Sequence, residues 1–400
     1  MRVKIKVILV LVVIIGACLI LTALIIGRKG HSDEETVSEF IQPEIAVDSQ
    51  DSWPMFRGGQ QLLGRASGSL PDSLKFAWKF KTSDLIKSSP AIDDHLVFIG
   101  SSDANIYAID LKSGSQVWSY KTGDAVEAAP CVIDGSVFVG SSDEFLYALD
   151  AESGSLKWKY KTDGQILGAA NWVRSPDGRM LWILIGSYDG ILHCVDSATG
   201  KAVWTYETDN YINGSPAVDD KKTVFGGCDA LIHVVSLTDG SEIMQLDADS
   251  YIAASAAFLE GQVYVGNYDN VLIKADIATG KIVWKYADSD SPFFSSPAIG
   301  KDVVVFGGRD KSVHCVSRNN GKVIWTFKTL GEVDSSPVIC GDKVIVGSED
   351  GRLYLLRLSD GEQVWSYDIG QPVTSSPAVA NQMVVVGSDD GYVYAFSSQR

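Results

Sequence analysis

The sequence contains few of the residues that form disulfides or bind structural metals in small folds. It has six cysteines and five histidines among 400 residues. No two cysteines are adjacent, and none form a C-x-x-C or C-x-x-C-H pattern, which excludes a recognisable zinc ribbon, redox motif or haem attachment site. Most of the cysteines stand inside strand-like apolar runs, where a small buried thiol is the simplest interpretation. Their disulfide state stays open.

Positive charge and helical periodicity are also scarce. Thirty-four Lys and Arg residues stand against 50 Asp and Glu residues, which gives a net charge of −16. Nucleic acid is excluded as an expected partner, because phosphate binding depends on Lys and Arg. Amphipathic helical patterns are absent, whereas 38 glycines indicate short strands joined by tight turns.

One long hydrophobic run stands near the N-terminus. Residues 7–27 form an uncharged run of 21 residues, VILVLVVIIGACLILTALIIG. As a helix it would span about 30 Å, the thickness of a bilayer core. Arg2, Lys4 and Lys6 precede the run, which favours residues 1–6 in the cytoplasm and the rest of the chain outside. The sequence therefore predicts a single-pass signal-anchor at residues 7–27.

A second interpretation of this run concerns Cys18. Residues 15–18, IGAC, resemble a lipobox, in which the cysteine is lipidated after cleavage. Residues 19–26 stay apolar, however, where a mature lipoprotein normally continues with a polar tether. The uncleaved anchor is favoured, and a lipoprotein anchored at Cys18 is the alternative. Both place the chain in the periplasm or at the cell exterior, and residues 28–52 are predicted to be a flexible linker.

From residue 53 onward, three landmarks recur at intervals of about 40 residues. The first is a small-residue strand start such as SSPA at residues 88–91, and the second is a G-x-x-D turn such as residues 100–103. The third is a strand built around an aromatic residue, with Met244 in the one remaining slot: Trp78, Trp118, Trp158, Trp204, Trp284, Trp325 and Trp365. A period of 40–50 residues with four strands per unit is typical of β-propeller blades.

The number of repeats predicts an all-β, eight-bladed β-propeller over residues 53–400. Its blades are four-stranded and antiparallel, and the strands of the first unit are predicted at residues 89–92, 96–100, 105–110 and 116–121. The strand at residues 76–80 precedes the first unit, and the last unit ends before an outer strand. Pairing residues 76–80 beside 392–396 completes blade eight and removes two open edges. We expect a monomer preceded by one transmembrane helix.

Two sequence features carry a resemblance to a known family. The segment A-x-D-x-x-[ST]-G-x-x-x-W at residues 108–118 and 148–158, and the lead-in WPMFRG at residues 53–58, resemble those of the PQQ-like β-propeller repeat family. The resemblance implies that the seven Trp residues dock blade on blade. It also implies one of two functions: that of the quinoprotein dehydrogenases, or that of the non-catalytic BamB-like propellers of outer-membrane protein assembly.

The non-catalytic branch is favoured. The chain lacks a Cys-Cys pair and a D-x-D-x-D-G loop, and its only notable insertion is about six residues long. Three repeats carry histidine at the third-strand position that holds Tyr in other repeats: His193, His233 and His314. We expect these histidines to pack in the core. Turn hydrogen bonding is expected of the repeated turn acids: Asp103, Asp143, Asp189, Asp229, Asp269, Asp310, Asp350 and Asp390.

We therefore expect no catalytic residues, no metal and no cofactor, with pyrroloquinoline quinone and Ca²⁺ both disfavoured. A PQQ-dependent dehydrogenase-like or small-ligand-binding propeller is the alternative.

A protein-binding face is predicted where the loops joining successive blades lie. These loops carry acids that should attract a basic partner: Asp84, Asp124, Asp163, Asp209, Asp249, Asp288, Glu332 and Asp368. Aromatic residues on the same face are the candidate partner-binding residues: Tyr188, Tyr211, Tyr251, Tyr268, Phe293 and Phe294. Trp172 and Arg174, in a loop on the opposite face, form a second candidate. The predicted function is a membrane-anchored extracytoplasmic interaction scaffold in envelope protein assembly.

Overall fold

The computed structural model of the chain describes residues 52–219 and 221–397. These residues form eight β-sheets, each a blade of a propeller. The predicted anchor at residues 7–27 lies outside the described residues. Within the part of the chain that is described, no helix is long and apolar enough to span a bilayer.

Nearly all of the regular structure is strand, apart from one 3₁₀ turn at Phe56–Gly58. Two strands precede the first blade, namely β1 (Arg65–Ala66) and β2 (Lys75–Lys81). Blades one to four contain β3 (Ala91–Asp93), β4 (Leu96–Ser101), β5 (Asn105–Asp110), β6 (Gln116–Lys121); β7 (Cys131–Ile133), β8 (Ser136–Gly140), β9 (Phe145–Asp150), β10 (Leu156–Lys161); β11 (Asn171–Arg174), β12 (Leu181–Gly186), β13 (Ile191–Asp196), β14 (Ala202–Glu207); and β15 (Ala217–Asp219), β16 (Lys222–Gly226), β17 (Leu231–Ser236), β18 (Glu242–Asp247).

Blades five to eight follow the same order, and the last has three strands of its own. They contain β19 (Ala257–Leu259), β20 (Gln262–Gly266), β21 (Leu272–Asp276), β22 (Lys281–Tyr286); β23 (Ala298–Ile299), β24 (Val303–Gly308), β25 (Ser312–Ser317), β26 (Val323–Lys328); β27 (Val338–Cys340), β28 (Lys343–Gly347), β29 (Arg352–Arg357), β30 (Gln363–Asp368); and β31 (Ala378–Ala380), β32 (Met383–Gly387), β33 (Tyr392–Ser397). This confirms the predicted eight-bladed propeller with antiparallel four-stranded blades, and β1 adds a fifth strand to blade seven, parallel to β27.

The innermost strands begin later than the sequence predicted. The first was expected at residues 89–92, but β3 runs over Ala91–Asp93. Pro90 has no backbone N–H to contribute to a ladder. Ser88 and Ser89 use their hydroxyls to reach the neighbouring blades instead. The residues before each inner strand therefore connect blades rather than extend the sheet.

The N-terminal strand closes the ring as predicted. Strand β2 pairs antiparallel with β33, with Lys75 opposite Ser397 and Trp78 opposite Ala395. Blade eight thereby gains its fourth strand from the beginning of the chain. The pairing covers two edges that would otherwise expose unpaired backbone groups.

A chain of serine hydroxyls links the inner strands around the axis. In six places a backbone N–H of one blade donates to a serine Oγ of the next, at 2.8–3.0 Å. The six acceptors are Ser89, Ser215, Ser255, Ser296, Ser336 and Ser376. Blades two and three carry Ala129 and Ala169 at this position instead. The sequence predicted small residues here, but the hydrogen-bonded ring was missed.

The tryptophans pack against glycines of the following blade. Gly154 has φ of 68°, and a Cβ there would lie 2.6 Å from Cδ2 of Trp118. The Trp118 indole N–H donates to the carbonyl of Ala151 at 2.9 Å, in the same turn. Four further tryptophans donate equivalently: Trp78, Trp158, Trp284 and Trp325. Trp204 packs on Gly240 with its buried indole nitrogen unpartnered, and Trp365 packs beside Tyr367 and Phe396.

Residues 53–66, termed the lead-in here, cross the inner strands at the end away from the joining loops. Their carbonyls accept inner-strand N–H groups from six blades in turn: Trp53 from Ile92, Pro54 from Val132, Gln60 from Val218, Gln61 from Phe258, Leu63 from Ile299 and Gly64 from Ile339. In blade three, Asn171 donates to the Gln60 carbonyl instead. The WPMFRG segment is therefore part of a clasp, meaning the set of hydrogen bonds by which the lead-in joins the inner strands across the ring.

Candidate functional site

The joining-loop face comprises the loops between successive blades and the turns between the second and third strands of each blade. Backbone hydrogen bonds hold the two kinds of segment together, for example from Ser102 to the carbonyl of Leu85. On this face Tyr188 and Tyr211 stack with ring centroids 5.0 Å apart and planes within 8° of parallel. Tyr211 is 51% exposed, so the stack presents aromatic surface to solvent.

A second aromatic cluster lies on the same face. Tyr268 contacts Tyr251 and Phe294, with centroids 6.3 Å and 4.6 Å away. Tyr251 is 52% exposed and Tyr268 is 41% exposed. The Arg309 guanidinium lies over the Phe294 ring at 3.7 Å, within the range of a cation–π contact. The structure thus brings five of the six predicted partner-binding residues into direct ring contact, in one group of two and one group of three.

Phe293 does not belong to this surface. Its side chain is fully buried and packs edge-to-face on Phe306, near His314. In the loop that precedes an inner strand, one residue points into the core and the next points to the surface. Phe293 takes the inward position held by Ile252 in the preceding blade, and Phe294 takes the outward one.

The opposite-face candidate is also corrected by the structure. Trp172 and Arg174 lie in strand β11 rather than in the long loop, and Trp172 is buried. The lead-in covers it, since the Gln60 amide donates to the Trp172 carbonyl at 2.6 Å. Trp172 therefore offers no free surface to a partner.

The acids of the joining loops are arranged unevenly. Most are exposed, but Glu332 and Asp334 contact Arg309, which forms a two-pronged bond to Asp334 at 3.0 Å and 2.6 Å. Glu349 lies close to both acids. Burial raises the pKa of Glu349, and the negative charges of Asp334 and Glu332 raise it further. This part of the face carries more negative charge than its single arginine neutralises.

The turn aspartates mostly serve the fold. In six blades the Asp side chain accepts the N–H two residues on, at 2.9–3.1 Å. In seven blades the same carboxylate also contacts the third-strand Tyr or His. Asp269 is the exception, because Ile273 occupies that slot.

The three histidines complete buried relays between blades. His233 is 1% exposed, its Nε2 lies 2.8 Å from Asp229, and its Nδ1 lies 3.0 Å from the hydroxyl of Tyr206 in the preceding blade. His193 and His314 repeat this arrangement with Tyr160 and Tyr286. Each imidazole is enclosed by protein, so these groups support packing between blades rather than chemistry on a substrate.

An axial cavity of about 190 Å³ lies between the joining loops and the lead-in. Its wall is formed by the serine ring, its floor includes Phe56, and its mouth carries Lys87, Glu127 and Asp334. Lys87 and Glu127 form an ion pair at 3.0 Å. Sequence reasoning identified none of these residues, although the repeated serine pair in SSPA was the available signal.

Comparison with known proteins identifies the family. Residues 171–400, more than half of the chain, match a family model described as the β-propeller of beta-alanine-activating enzyme. Residues 72–183 match a model described as outer membrane protein assembly factor BamB. The chain belongs to the PQQ-like β-propeller repeat family. No curated protein sequence matches it.

Solved structures of PQQ-like propellers resemble this one in fold. BamB from Moraxella catarrhalis matches with a TM-score of 0.68 at 19% identity, covering 81% of this chain and 100% of that one. A quinohemoprotein alcohol dehydrogenase from Comamonas testosteroni matches with a TM-score of 0.73 at 13% identity, covering 87% of this chain and 80% of that one. At these identities the likeness establishes the fold alone.

The residues present do not fit a quinone–calcium cofactor. The axial cavity is smaller than the roughly 300–1,000 Å³ of ordinary small-molecule pockets. One group of three carboxylates among the described residues lies close enough to share an ion, and Arg309 already contacts two of its members. Calcium takes six to eight oxygen ligands, which this partly neutralised trio does not supply.

Proposed function

We propose that this PQQ-like propeller is a membrane-tethered, extracytoplasmic interaction scaffold that docks a protein partner on its joining-loop face. The observation that carries the proposal is the pair of aromatic clusters on that face. Tyr211, Tyr251 and Tyr268 each expose about half of their side chains and hold one another or their neighbours in fixed orientations. Exposed aromatic rings that are already ordered lose little entropy on binding, and such rings are enriched at interface hot spots.

The surrounding charge supports a basic partner. The chain carries a net charge of −16, and the acids that flank the aromatic clusters include exposed Asp209 and Asp249. Negative potential of this kind accelerates the approach of a positively charged surface and disfavours acidic competitors. The aromatic rings then supply the contact area that long-range attraction lacks.

The cellular role is proposed from the family match. The BamB model covers residues 72–183, and BamB is described as an outer membrane protein assembly factor. We extend the same kind of role, assembly of envelope proteins, to this chain. The alternative of a quinone-dependent enzyme has less support, because the axial cavity and its carboxylates do not fit that cofactor. We propose that the chain is not an enzyme and uses no cofactor or metal.

The location is proposed from the N-terminal sequence. The uncharged run at residues 7–27 has the length of a transmembrane helix, with three basic residues before it. We place residues 1–6 in the cytoplasm and the propeller on the periplasmic or outer side.

The docking face is tested by comparing two double variants of the full-length protein in its own membranes. Tyr251→Ser with Tyr268→Ser removes one aromatic cluster. Val203→Ser with Ile243→Ser changes two similarly exposed apolar residues on outer strands β14 and β18, and serves as the matched control.

After mild crosslinking, quantitative mass spectrometry measures the recovered partner. The tyrosine variant should recover roughly tenfold less partner than wild type, as expected for the loss of hot-spot rings, and the control should match wild type. Undiminished recovery with the tyrosine variant would overturn the proposed face.

A further inference from the structure

The axial cavity presents hydrogen-bond donors that the protein does not satisfy. Each of the six ring serines is more than nine-tenths buried and accepts one backbone N–H through its Oγ. Among the described residues, none of these hydroxyl protons has an acceptor. A buried hydroxyl without an acceptor is costly, so the inner wall is built to face an oxygen-rich group.

A positive charge lies behind the floor of the cavity. Arg57 is 2% exposed, and its guanidinium lies 6.0 Å from the ring of Phe56, which lines the floor. It donates one hydrogen bond, to the carbonyl of Pro337 directly after Ser336 of the ring. No carboxylate among the described residues pairs with it, and burial lowers its pKa to about 9. The deep end of the cavity therefore favours negative charge.

The mouth has the opposite character. Two cations, Lys87 and Arg309, stand there against five acids: Glu127, Glu332, Asp334, Glu349 and Asp389. Lys87 is paired with Glu127, and Arg309 contacts Glu332 and Asp334. Burial raises the pKa of Asp389, as it does that of Glu349, with nearby carboxylates adding to both shifts. The mouth therefore favours positive charge.

We propose that the axial cavity binds a small zwitterion, with its carboxylate on the serine hydroxyls and its ammonium group at the acidic mouth. A simple anion would meet the acids on entry, and a simple cation would leave the serine hydroxyl protons without an acceptor. The volume of about 190 Å³ is somewhat larger than a cavity of about 150 Å³ that holds benzene, so it suits a molecule of about seven non-hydrogen atoms. An unbranched amino acid of intermediate length meets these requirements.

Titration calorimetry on the purified full-length protein tests this, with 4-aminobutyrate as the probe. Glycine and 6-aminohexanoate vary the length, and butyrate and butylamine each supply one charged end. We expect 4-aminobutyrate to bind roughly tenfold more tightly than either single-ended compound, which corresponds to about 1.4 kcal/mol. Equal binding of butylamine or of butyrate would reduce the site to a cation or an anion site and overturn the proposal. Absence of heat from every compound would show that the cavity holds solvent only, with the same consequence.

Two variants locate the binding. Ala169→Leu fills the cavity from blade three, one of the two blades without a ring serine, and the hydrogen bond from its backbone N–H to Ser215 is retained. Glu349→Gln removes one charge near the mouth without touching the wall. Both should retain the wild-type melting temperature, while the first abolishes 4-aminobutyrate binding and the second weakens it several-fold. Binding that survives in Ala169→Leu would place the ligand elsewhere. Partner docking through Tyr251 and Tyr268 is independent of these results.

Discussion

At the scale of single residues, the contact between a tryptophan and a glycine sets the spacing of neighbouring blades. The indole of Trp118 lies flat over Gly154 and donates to a carbonyl of the same turn. Only glycine accepts both the positive φ and the close approach of the ring. The family resemblance implied that the tryptophans dock blade on blade, whereas their glycine partners in the following blade could not be inferred from it.

Three glycine substitutions separate the effect of the positive φ from the effect of the close approach of the Trp ring. Gly154→Ala combines a φ of 68° with a Cβ 2.6 Å from Trp118, whereas Gly135→Ala has a φ of 66° and open space. Gly280→Ala resembles Gly135→Ala, because its φ is 64° and the nearest atom to the added Cβ, in Met244, lies 3.9 Å away. We expect destabilisation of about 1 kcal/mol at Gly135 and Gly280 from backbone strain, and about 2–4 kcal/mol at Gly154 from added overpacking. Urea unfolding measures this, and equal losses at all three positions would contradict the account.

The contribution of the buried Asp229–His233 contact to stability is tested by comparison with Asp269, which occupies the same turn position in the next blade. Burial raises the pKa of Asp229, but the hydrogen bond and charge of His233 outweigh burial, so the net pKa is lowered. Asp229→Ala leaves the buried Nε2 of His233 without its partner, and should cost about 2–3 kcal/mol at pH 7. Asp269→Ala changes an exposed acid at the same turn position and should cost less than about 0.5 kcal/mol.

The cost of Asp229→Ala should depend on pH. A folded pKa below that of an unfolded aspartate, about 3.9, stabilises the fold above that pH. The contribution is lost as the pH falls through the lowered folded value. The stability difference between wild type and Asp229→Ala, measured by urea unfolding, should therefore be constant near neutrality and shrink below about pH 4. A difference that grew on acidification would contradict the assigned direction of the pKa shift.

At the scale of elements, two N-terminal segments hold the ring closed. Strand β2 completes blade eight, and the lead-in bonds to the inner strands of the seven other blades. The sequence predicted β2, because the repeat pattern left one surplus outer strand before the first unit and none for the last unit. It did not predict the lead-in clasp, whose partners lie up to 280 residues away, as for Arg57 and Pro337.

Deleting residues 53–82 removes both segments and should abolish cooperative unfolding of the propeller. Opening the ring exposes the edges of β33 and of the inner strands, whose N–H groups lose their acceptors. Deleting residues 30–50, in the predicted linker, is the control and should leave the thermal melt unchanged. Circular dichroism melts of the two truncated proteins make the comparison. A cooperative melt at the wild-type temperature after the 53–82 deletion would disprove the closure.

The candidate site shows where sequence patterns stop being informative. Phe293 and Phe294 are adjacent and chemically identical, yet one is buried and one lies on the surface. Trp172 was placed on a loop because its strand departs from the repeat, and its burial depends on Gln60 more than a hundred residues earlier. Local patterns predicted which face carries the aromatics. The inward or outward direction of each ring depends on packing between blades, which no single repeat encodes.

At the scale of the whole molecule, the anchor predicted at residues 7–27 would determine where the propeller acts. Cys18→Ala distinguishes the two predicted modes of attachment. A signal-anchor does not need the thiol, so the variant should stay in the membrane fraction with an unchanged mass. A lipoprotein would lose its lipid, and its precursor would remain uncleaved and increase in size relative to the mature form. Membrane fractionation with intact-mass measurement gives the result.

The central claim, that the joining-loop face binds a protein partner, is tested most directly by photo-crosslinking in living cells. A photoreactive residue replaces Tyr251 on that face, and in a parallel strain it replaces Arg174 near the opposite face. The account predicts that one envelope protein is captured reproducibly from position 251 and is absent from position 174. Capture of a barrel-assembly component from position 251 would also support the proposed role in envelope assembly. Capture of the partner from position 174 alone would contradict the account.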